Sequence, residues 1–333
     1  MSPVTRLEYI PQPWIIVYVN ESMSFTLDTL RSYDESPMEF AQLMERTGYL
    51  DFSKRNCPHC GSLLELQCTY FSYFSPDMKF LILLDHSRVK DNCVLRCRTI
   101  NCKRITHSIR DGSFFHHSNY STLQQMKIIC CFIDDLRVSR TSRLLNFSRT
   151  SLTSYYDNLR GEYLDELERN PIKFTSVGIF EVDEVQLKHV KSVDGGHIDK
   201  WIFGILEHST NRLLYIPVEN RSADVLQSLI HTHIPASSLV FSDDWAAYRT
   251  IGRLGYRHYS VNHSTKEYSR DEEIDGQTVK VHINTLEGMN RVVRQRFANK
   301  SNRNMERLDL ILGELMYRYS GRGLSYPFKA TCQ

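Results

Sequence analysis

The chain has 333 residues, 41% hydrophobic and 24% charged, with a formal net charge of +2. That composition is ordinary for a globular protein with room for two or three domains, and no apolar run reaches the roughly 18 to 20 residues that cross a bilayer. Near-neutral charge neither demands nor excludes a nucleic-acid partner, because a basic face can hide inside a balanced total.

Met1 to Pro13 lack a basic-then-apolar signal pattern, which predicts a chain that is not secreted and works in the cytoplasm, or in the nucleus of a eukaryote. Residues 1–54 are of mixed character, with a short helix suggested at Phe40-Ala41-Gln42-Leu43-Met44. Residues 55–115 read as a zinc-ribbon-like domain. Cys57-Pro58-His59-Cys60-Gly61 is a C-x-x-C knuckle, and Cys97 and Cys102 form a C-x4-C pair beyond the strand-like stretch Leu63 to Leu84. Thiolates at such spacings face one tetrahedral Zn²⁺, because the intervening turn brings the sulfurs together. The nine cysteines are an odd count, and clustering in a reducing compartment favours ligation over disulfides. One structural zinc is expected on Cys57, Cys60, Cys97 and Cys102, with Cys93 able to replace a member of the second pair. Cys68, Cys130, Cys131 and Cys332 read as buried or free thiols.

Residues 116–170 turn helical. Leu123, Met126, Ile129, Cys130 and Ile133 recur at threes and fours, followed by a run over Val138 to Leu145 and another from Arg149 through Leu164. The last two are joined by Asn146-Phe147-Ser148, a three-residue polar turn with Ser148 as the N-cap. Two readings fit. In a helix-turn-helix, Arg149, Thr150 and Thr153 would face a DNA groove, with Arg137, Arg140, Arg143 and Arg160 nearby. In a helical link between two domains, the same arginines are solvated.

Asn170-Pro171 marks a boundary. Strands follow at Gly178 to Val185, Lys200 to Glu207 and Arg212 to Val218, with turns at Asp194-Gly195-Gly196 and Ser209-Thr210-Asn211. Next come a helix over Ala223 to His233, a strand at Ser238 to Ser242, a short helix over Ala246 to Leu254 and a strand at Tyr256 to Val261. A polar segment, Asn262 to Lys280, precedes helices over Asn284 to about Asn299 and about Met305 to Tyr319. The fold class is therefore α/β. Its order predicts an RNase H-like mixed-sheet domain over residues 171–300, leaving 301–333 as a C-terminal helix and tail.

The strand Gly178 to Val185 ends in Asp183-Glu184. Read alone, this fits an exposed acidic turn; a buried carboxylate there would need a partner or a metal. In the predicted sheet, Asp183 lies beside Asp243 at the end of the fourth strand, and the helix from Asn284 brings Glu287 to both. Three converging carboxylates repel unless cations neutralise them, so a pair of Mg²⁺ (or Mn²⁺) ions is expected, serving an in-line displacement at phosphorus. Glu184 alternates to the opposite face and takes a supporting place. Arg294, seven positions after Glu287, shares its helix face. Arg291, Arg296, Lys300 and Arg303 extend the basic character towards a nucleic-acid backbone. His263 and His282 flank the polar segment, where either one orients a carboxylate, contacts phosphate or is simply structural.

Residues 55 to 300 resemble the Merlin-type DDE transposases and their bacterial insertion-sequence relatives, the ISXO2-like transposases. The pieces that carry the resemblance are Asp183-Glu184 with Lys188, Trp201-Ile202-Phe203-Gly204, Arg221-Ser222, Ser242-Asp243-Asp244-Trp245-Ala246-Ala247-Tyr248, Val261-Asn262-His263-Ser264 and His282-Ile283-Asn284-Thr285-Leu286-Glu287-Gly288. Where that family shows Thr-Asp-Gly-Trp this chain has Ser242-Asp243-Asp244-Trp245, which makes Asp244 a departure and a secondary candidate. Asn284 is another, because some members are described with asparagine as third ligand. The resemblance implies catalysis by Asp183, Asp243 and Glu287. It also implies DNA contacts from Arg221 and Lys188, beside those expected of Arg149, Arg291 and Arg294, and double-stranded DNA partners in the form of terminal inverted repeats and target. The expected enzyme is a homo-oligomer that cleaves a phosphodiester and transfers the strand. A domesticated, catalytically silent DNA-binding regulator is the alternative, and a structure-specific nuclease on the same fold is a third reading.

Overall fold

The computed structural model describes residues 15–16, 25–52, 55–68, 90–102, 106–192, 194–262, 265–298, 304–320 and 327–328. The expectations placed on Met1 to Pro13, on the stretch after residue 68 as far as Leu84, and on His263, Lys300, Arg303 and Cys332 lie outside those residues. The chain divides into two compact units, Met1–Tyr156 with Ser325–Gln333, and Asp157–Leu324.

In the first unit, β1 (Ile15–Ile16) is followed by α1 (Leu27–Arg31) and α2 (Pro37–Arg46). Proline suits the first turn of α2, where its missing N–H would have no helical partner. Phe40, Ala41, Leu43 and Met44 form the buried stripe of that helix. Then β2 (Glu65–Cys68), β3 (Cys93–Arg96) and β4 (Thr106–Ser108) make an antiparallel three-stranded sheet in that order. Helix α3 (Thr122–Ile133) starts at a capping box, with Ser121 and Gln124 each accepting from the other's backbone N–H. Helices α4 (Val138–Leu145) and α5 (Arg149–Arg169) are joined by the three-residue turn the sequence marks. Asn146 takes the left-handed conformation at φ 56°, and Ser148 Oγ accepts from Ser151 N at 3.5 Å. The buried Thr141–Tyr156 hydrogen bond of 2.8 Å and the Phe132–Tyr156 ring contact of 5.0 Å hold this pair of helices to α3.

In the second unit, β5 (Ile179–Lys191), β6 (His197–Glu207), β7 (Leu213–Val218), α6 (Ala223–His233), β8 (Leu239–Asp243) and β9 (Arg257–Val261) build one five-stranded sheet and a covering helix. The sheet order is β7-β6-β5-β8-β9. The first three strands are antiparallel and β8 and β9 run parallel to β5. This mixed sheet has the arrangement expected for the RNase H-like order. The first strand runs well past Val185, through a bulge between Leu187 and Val190 where His189 takes φ 56°. The region expected as a short helix over Ala246 to Leu254 is instead two 3₁₀ turns, Ala246–Tyr248 and Ile251–Leu254.

The polar segment after Val261 holds a hairpin of β10 (Arg270–Ile274) and β11 (Gln277–Val281), closed by Asp275 and Gly276, both at positive φ. That backbone is the mirror-image turn whose twist matches paired strands. Helices α7 (Asn284–Ala298) and α8 (Met305–Tyr319) follow, and β12 (Pro327–Phe328) pairs with β1. Leu286, Val293 and Phe297 from α7 and Leu308, Ile311, Leu312 and Leu315 from α8 share one apolar core with Val185, Leu187, Ile202 and Tyr215 of the sheet. Glu314 of α8, itself buried, accepts from Arg160 and Arg318 at 2.7 and 2.8 Å, with Arg296 at 3.8 Å.

Helix α7 lies so close to the sheet that β6 needs a glycine beneath it. A Cβ on Gly204 would sit 2.9 Å from the Tyr215 ring and 3.0 Å from Leu286 Cδ1. Gly204→Ala is therefore expected to push α7 outward at a cost of about 1–3 kcal/mol. Urea denaturation reads the loss, and unchanged stability would mean that the helix has slack.

Candidate active site

Asp183 stands on β5 directly across from Gly204 of β6. On its other side the parallel pairing Ile179↔Leu239, Phe180↔Val240, Glu181↔Phe241 ends two residues short of it. Continuing that step brings Asp183 level with Asp243, the last residue of β8, and the period of two gives both side chains the face that α7 covers. Glu287 lies in the first turn of α7. Burial first, then the charge of Asp243, and more weakly that of Glu287, push the Asp183 carboxyl up to about 6. Three partly buried carboxylates from β5, β8 and α7 are thus near enough to bear on one another electrostatically.

A buried hydrogen-bond chain fixes the middle of this arrangement. Tyr215 Oη donates to Asn290 Oδ1 at 2.9 Å, and Asn290 Nδ2 donates to Asp183 Oδ2 at 2.8 Å. Asn290 follows Glu287 by three residues, so both project from one helix face. On the opposite face of β5, Glu184 accepts from Tyr248 Oη. Burial is the main force that pushes Glu184 up to about 7, opposed by that hydrogen bond.

A cleft of about 660 Å³ is lined by Glu184, Lys188, Trp201, Arg294 and Phe297 among others, and not by the three carboxylates themselves. Arg221 stacks over two indoles at its edge, 4.6 Å from Trp201 and 3.8 Å from Trp245. Sandwiching a guanidinium this way fixes it while leaving its donors in plane for a phosphate.

In the first unit, the sulfurs of Cys57, Cys60, Cys97 and Cys102 lie within 4.8 Å of one another. Cys57 and Cys102 are 3.7 Å apart, Cys60 and Cys97 3.4 Å. Four thiols at such distances fit one tetrahedral Zn²⁺. Cys93 is disulfide-bonded and does not enter the cluster. Among the described residues, the other group that brings three ligand atoms within 4.8 Å is Glu181 with His208 and His282. The acidic trio is not gathered that tightly.

Residues 179–320, from the start of β5 to the end of α8, match the ISXO2-like transposase domain. This part of the chain, less than half of it, is similar to that family. The match carries the family through α8, so the C-terminal helix is included in it. No curated protein matches the chain. Among solved structures, the chain is similar at 12% identity and a TM-score of 0.28 to a chain of the simian T-cell lymphotropic virus intasome in complex with PP2A regulatory subunit B56 gamma. That similarity covers 57% of this chain and 66%, just under two thirds, of the other. It is also similar to the HTLV-2 integrase catalytic core domain in complex with magnesium, at 9% identity and a TM-score of 0.24, over 44% of this chain and 86% of that one. At these scores neither carries functional information.

Within the matched residues, Asn284 is exposed at the start of α7, and Asp244 is exposed, accepting from Asn262 Nδ2 at 3.3 Å. Arg291 and Arg294 are exposed on α7, whereas Arg296 turns to Glu314. Arg160 corrects its sequence reading: it is buried, bound to Glu314 and Asp157, and unavailable to DNA. Arg137, Arg140, Arg143 and Arg149 of the first unit are exposed. The sequence did not point to Asn290 or Tyr215, and offered Tyr248 only as the end of the stretch from Ser242. For Asn290 a signal existed, namely a polar residue on the apolar stripe of α7, three positions from Glu287.

Proposed function

We propose that the chain is a DDE transposase that binds transposon-end DNA, cleaves a phosphodiester and joins the freed strand to target DNA. The charge of Asp243 and Glu287 felt by Asp183, the three being partly buried acids from β5, β8 and α7, is the observation that supports this reading. A set of oxygen donors that repel one another fits a hard divalent cation better than a soft one. Asp183, Asp243 and Glu287 would hold two Mg²⁺ ions, which when bound supply charge neutralisation and Lewis-acid polarisation at phosphorus.

The remaining work falls to the protein's own groups. Asn290 holds the Asp183 carboxylate in one rotamer. Arg294 and Lys188 in the cleft, with the stacked Arg221, are placed to grip phosphates and exclude competing poses. The four-cysteine cluster organises a zinc ribbon, and α4 and α5 form a helix-turn-helix whose exposed Arg149 approaches DNA. Arg291 adds a backbone contact, and the enzyme acts as a homo-oligomer on paired ends. In this reading residues 55–115, 116–170 and 171–300 are the ribbon, the DNA reader and the catalytic domain.

The deciding experiment is a cleavage and strand-transfer assay on DNA carrying the element's own ends. Strand transfer supports the transposase. Cleavage without transfer would make it a nuclease, and binding without cleavage a silent regulator. Arg294→Ala is expected to weaken DNA binding without changing sequence preference, and to lower the slope of log K against log salt by about 1. An unchanged slope would remove Arg294 from the DNA path.

A further inference from the structure

Two residues before Asp183, the same strand buries a second acid. Glu181 has no exposed surface, and a bare charge there is costly unless it is paired or bound to a metal. Three groups meet it. His208 Nε2 lies 2.7 Å from Glu181 Oε1, and His282 Nδ1 lies 3.3 Å from the same oxygen. Leu286 N, in the first turn of α7, donates to Oε2 at 2.7 Å. The two imidazoles stack at 5.4 Å with 26° between planes, each turning a nitrogen to the carboxylate.

One atom in this set is unexplained. His282 Nδ1 is buried and makes no hydrogen bond, its approach to Glu181 lacking the geometry of one. A buried ring nitrogen without a partner is expensive. It is accounted for if the nitrogen is a ligand rather than a donor. The other ligand atoms are already within 4.8 Å. They come from β5, the turn after β6 and the residue pair before α7, so the tertiary fold assembles the set.

We propose that Glu181, His208 and His282 bind a divalent transition metal, Zn²⁺ in the first instance, at a site separate from the acidic trio. Two imidazoles and one carboxylate are borderline ligands that favour zinc over magnesium. Both histidines are partly exposed, which leaves room for water to complete a tetrahedron. The second oxygen of Glu181 ties the ion to the N-terminus of α7, one residue from Glu287. The metal therefore acts as a positioning element: it locks the start of the helix that carries the third carboxylate and Asn290.

The test is metal content, read without DNA, so it stands or falls apart from the transposase reading. Full-length protein reconstituted with Zn²⁺ and passed through a desalting column is expected to hold two ions per chain. His208→Ala and His282→Gln should each hold one. With Co²⁺, the thiolate charge-transfer bands of the four-cysteine site should persist in both variants, while visible d–d absorption without such bands is lost. Thermal melts identify any histidine variant that fails to fold, and Glu181→Gln provides a third. A wild-type protein whose only bound ion shows the thiolate bands, or folded variants that keep the second ion, overturns the proposal.

Discussion

Asp183→Asn is expected to abolish divalent-metal-dependent cleavage of element-end DNA, by at least about 10³-fold, and at the same time to stabilise the metal-free protein at neutral pH. The second effect follows from the sign of the shift. In the unfolded chain Asp183 titrates near the usual 3.8, and in the fold at about 6. Between those values the folded state holds more protons, so stability falls as pH rises through the window and stays reduced above it. The difference corresponds to about 3 kcal/mol at pH 7. The amide carries no charge and can still accept from Asn290, so the variant escapes that cost. Melts across pH 4 to 8 without divalent cation check this: the gap between variant and wild type should open as pH rises and close towards 4. Adding Mg²⁺ should raise the melting temperature of wild type alone. Equal melting temperatures at pH 7 would mean that Asp183 is not under the strain its neighbours impose.

The other large effect concerns the cysteine cluster. Removing zinc from Cys57, Cys60, Cys97 and Cys102 with a thiol-specific mercurial, or replacing Cys97 with serine, is expected to unfold the small sheet of β2, β3 and β4. Ligation in such modules contributes on the order of 10 kcal/mol or more of folding free energy. The strands of this sheet are three or four residues long, and apart from the cluster it is held by the disulfide of Cys93. Amide hydrogen exchange should lose protection over residues 93–96 and 106–108 while β5 to β9 stay protected. Protection that survives in zinc-free protein would show that the thiols are not ligands.

How far the sequence reached depended on whether chemistry and pattern agreed. Cys57 and Cys60 were legible because C-x-x-C is a spacing with few other uses, whereas Asp183, Asp243 and Glu287 were singled out by the order of strands and helix around them. The β10–β11 hairpin was not seen, although Asp275-Gly276 is a strong turn signal, because Arg270 to Glu273 is a charged run and suggests no buried strand. The length of β5 was missed for a related reason, since its bulge at Leu187 to Val190 breaks the alternation. Glu181 escaped notice because a carboxylate at an inward strand position runs against the rule that charges stay outside. His208 and His282 are 74 positions apart in sequence, and only the fold brings them to it. Arg160 was read with its solvated neighbours because nothing local reveals Glu314, which is 154 residues away.

The hydrogen-bond chain from Tyr215 through Asn290 to Asp183 has a direction. A phenol gives its one proton to the amide oxygen, which turns the amide nitrogen towards the carboxylate. Were the amide flipped, its oxygen would confront the acid and its nitrogen the phenol proton. Were α7 to slip by a residue, the phenol and the carboxylate would both be left buried without their partner, at about 1–3 kcal/mol for each group. An apolar stripe alone would tolerate such a slip far better. The three polar groups thus act as a notch that admits α7 in one register, and the spacing between Asp183 and Glu287 is set by that notch rather than by the surrounding grease.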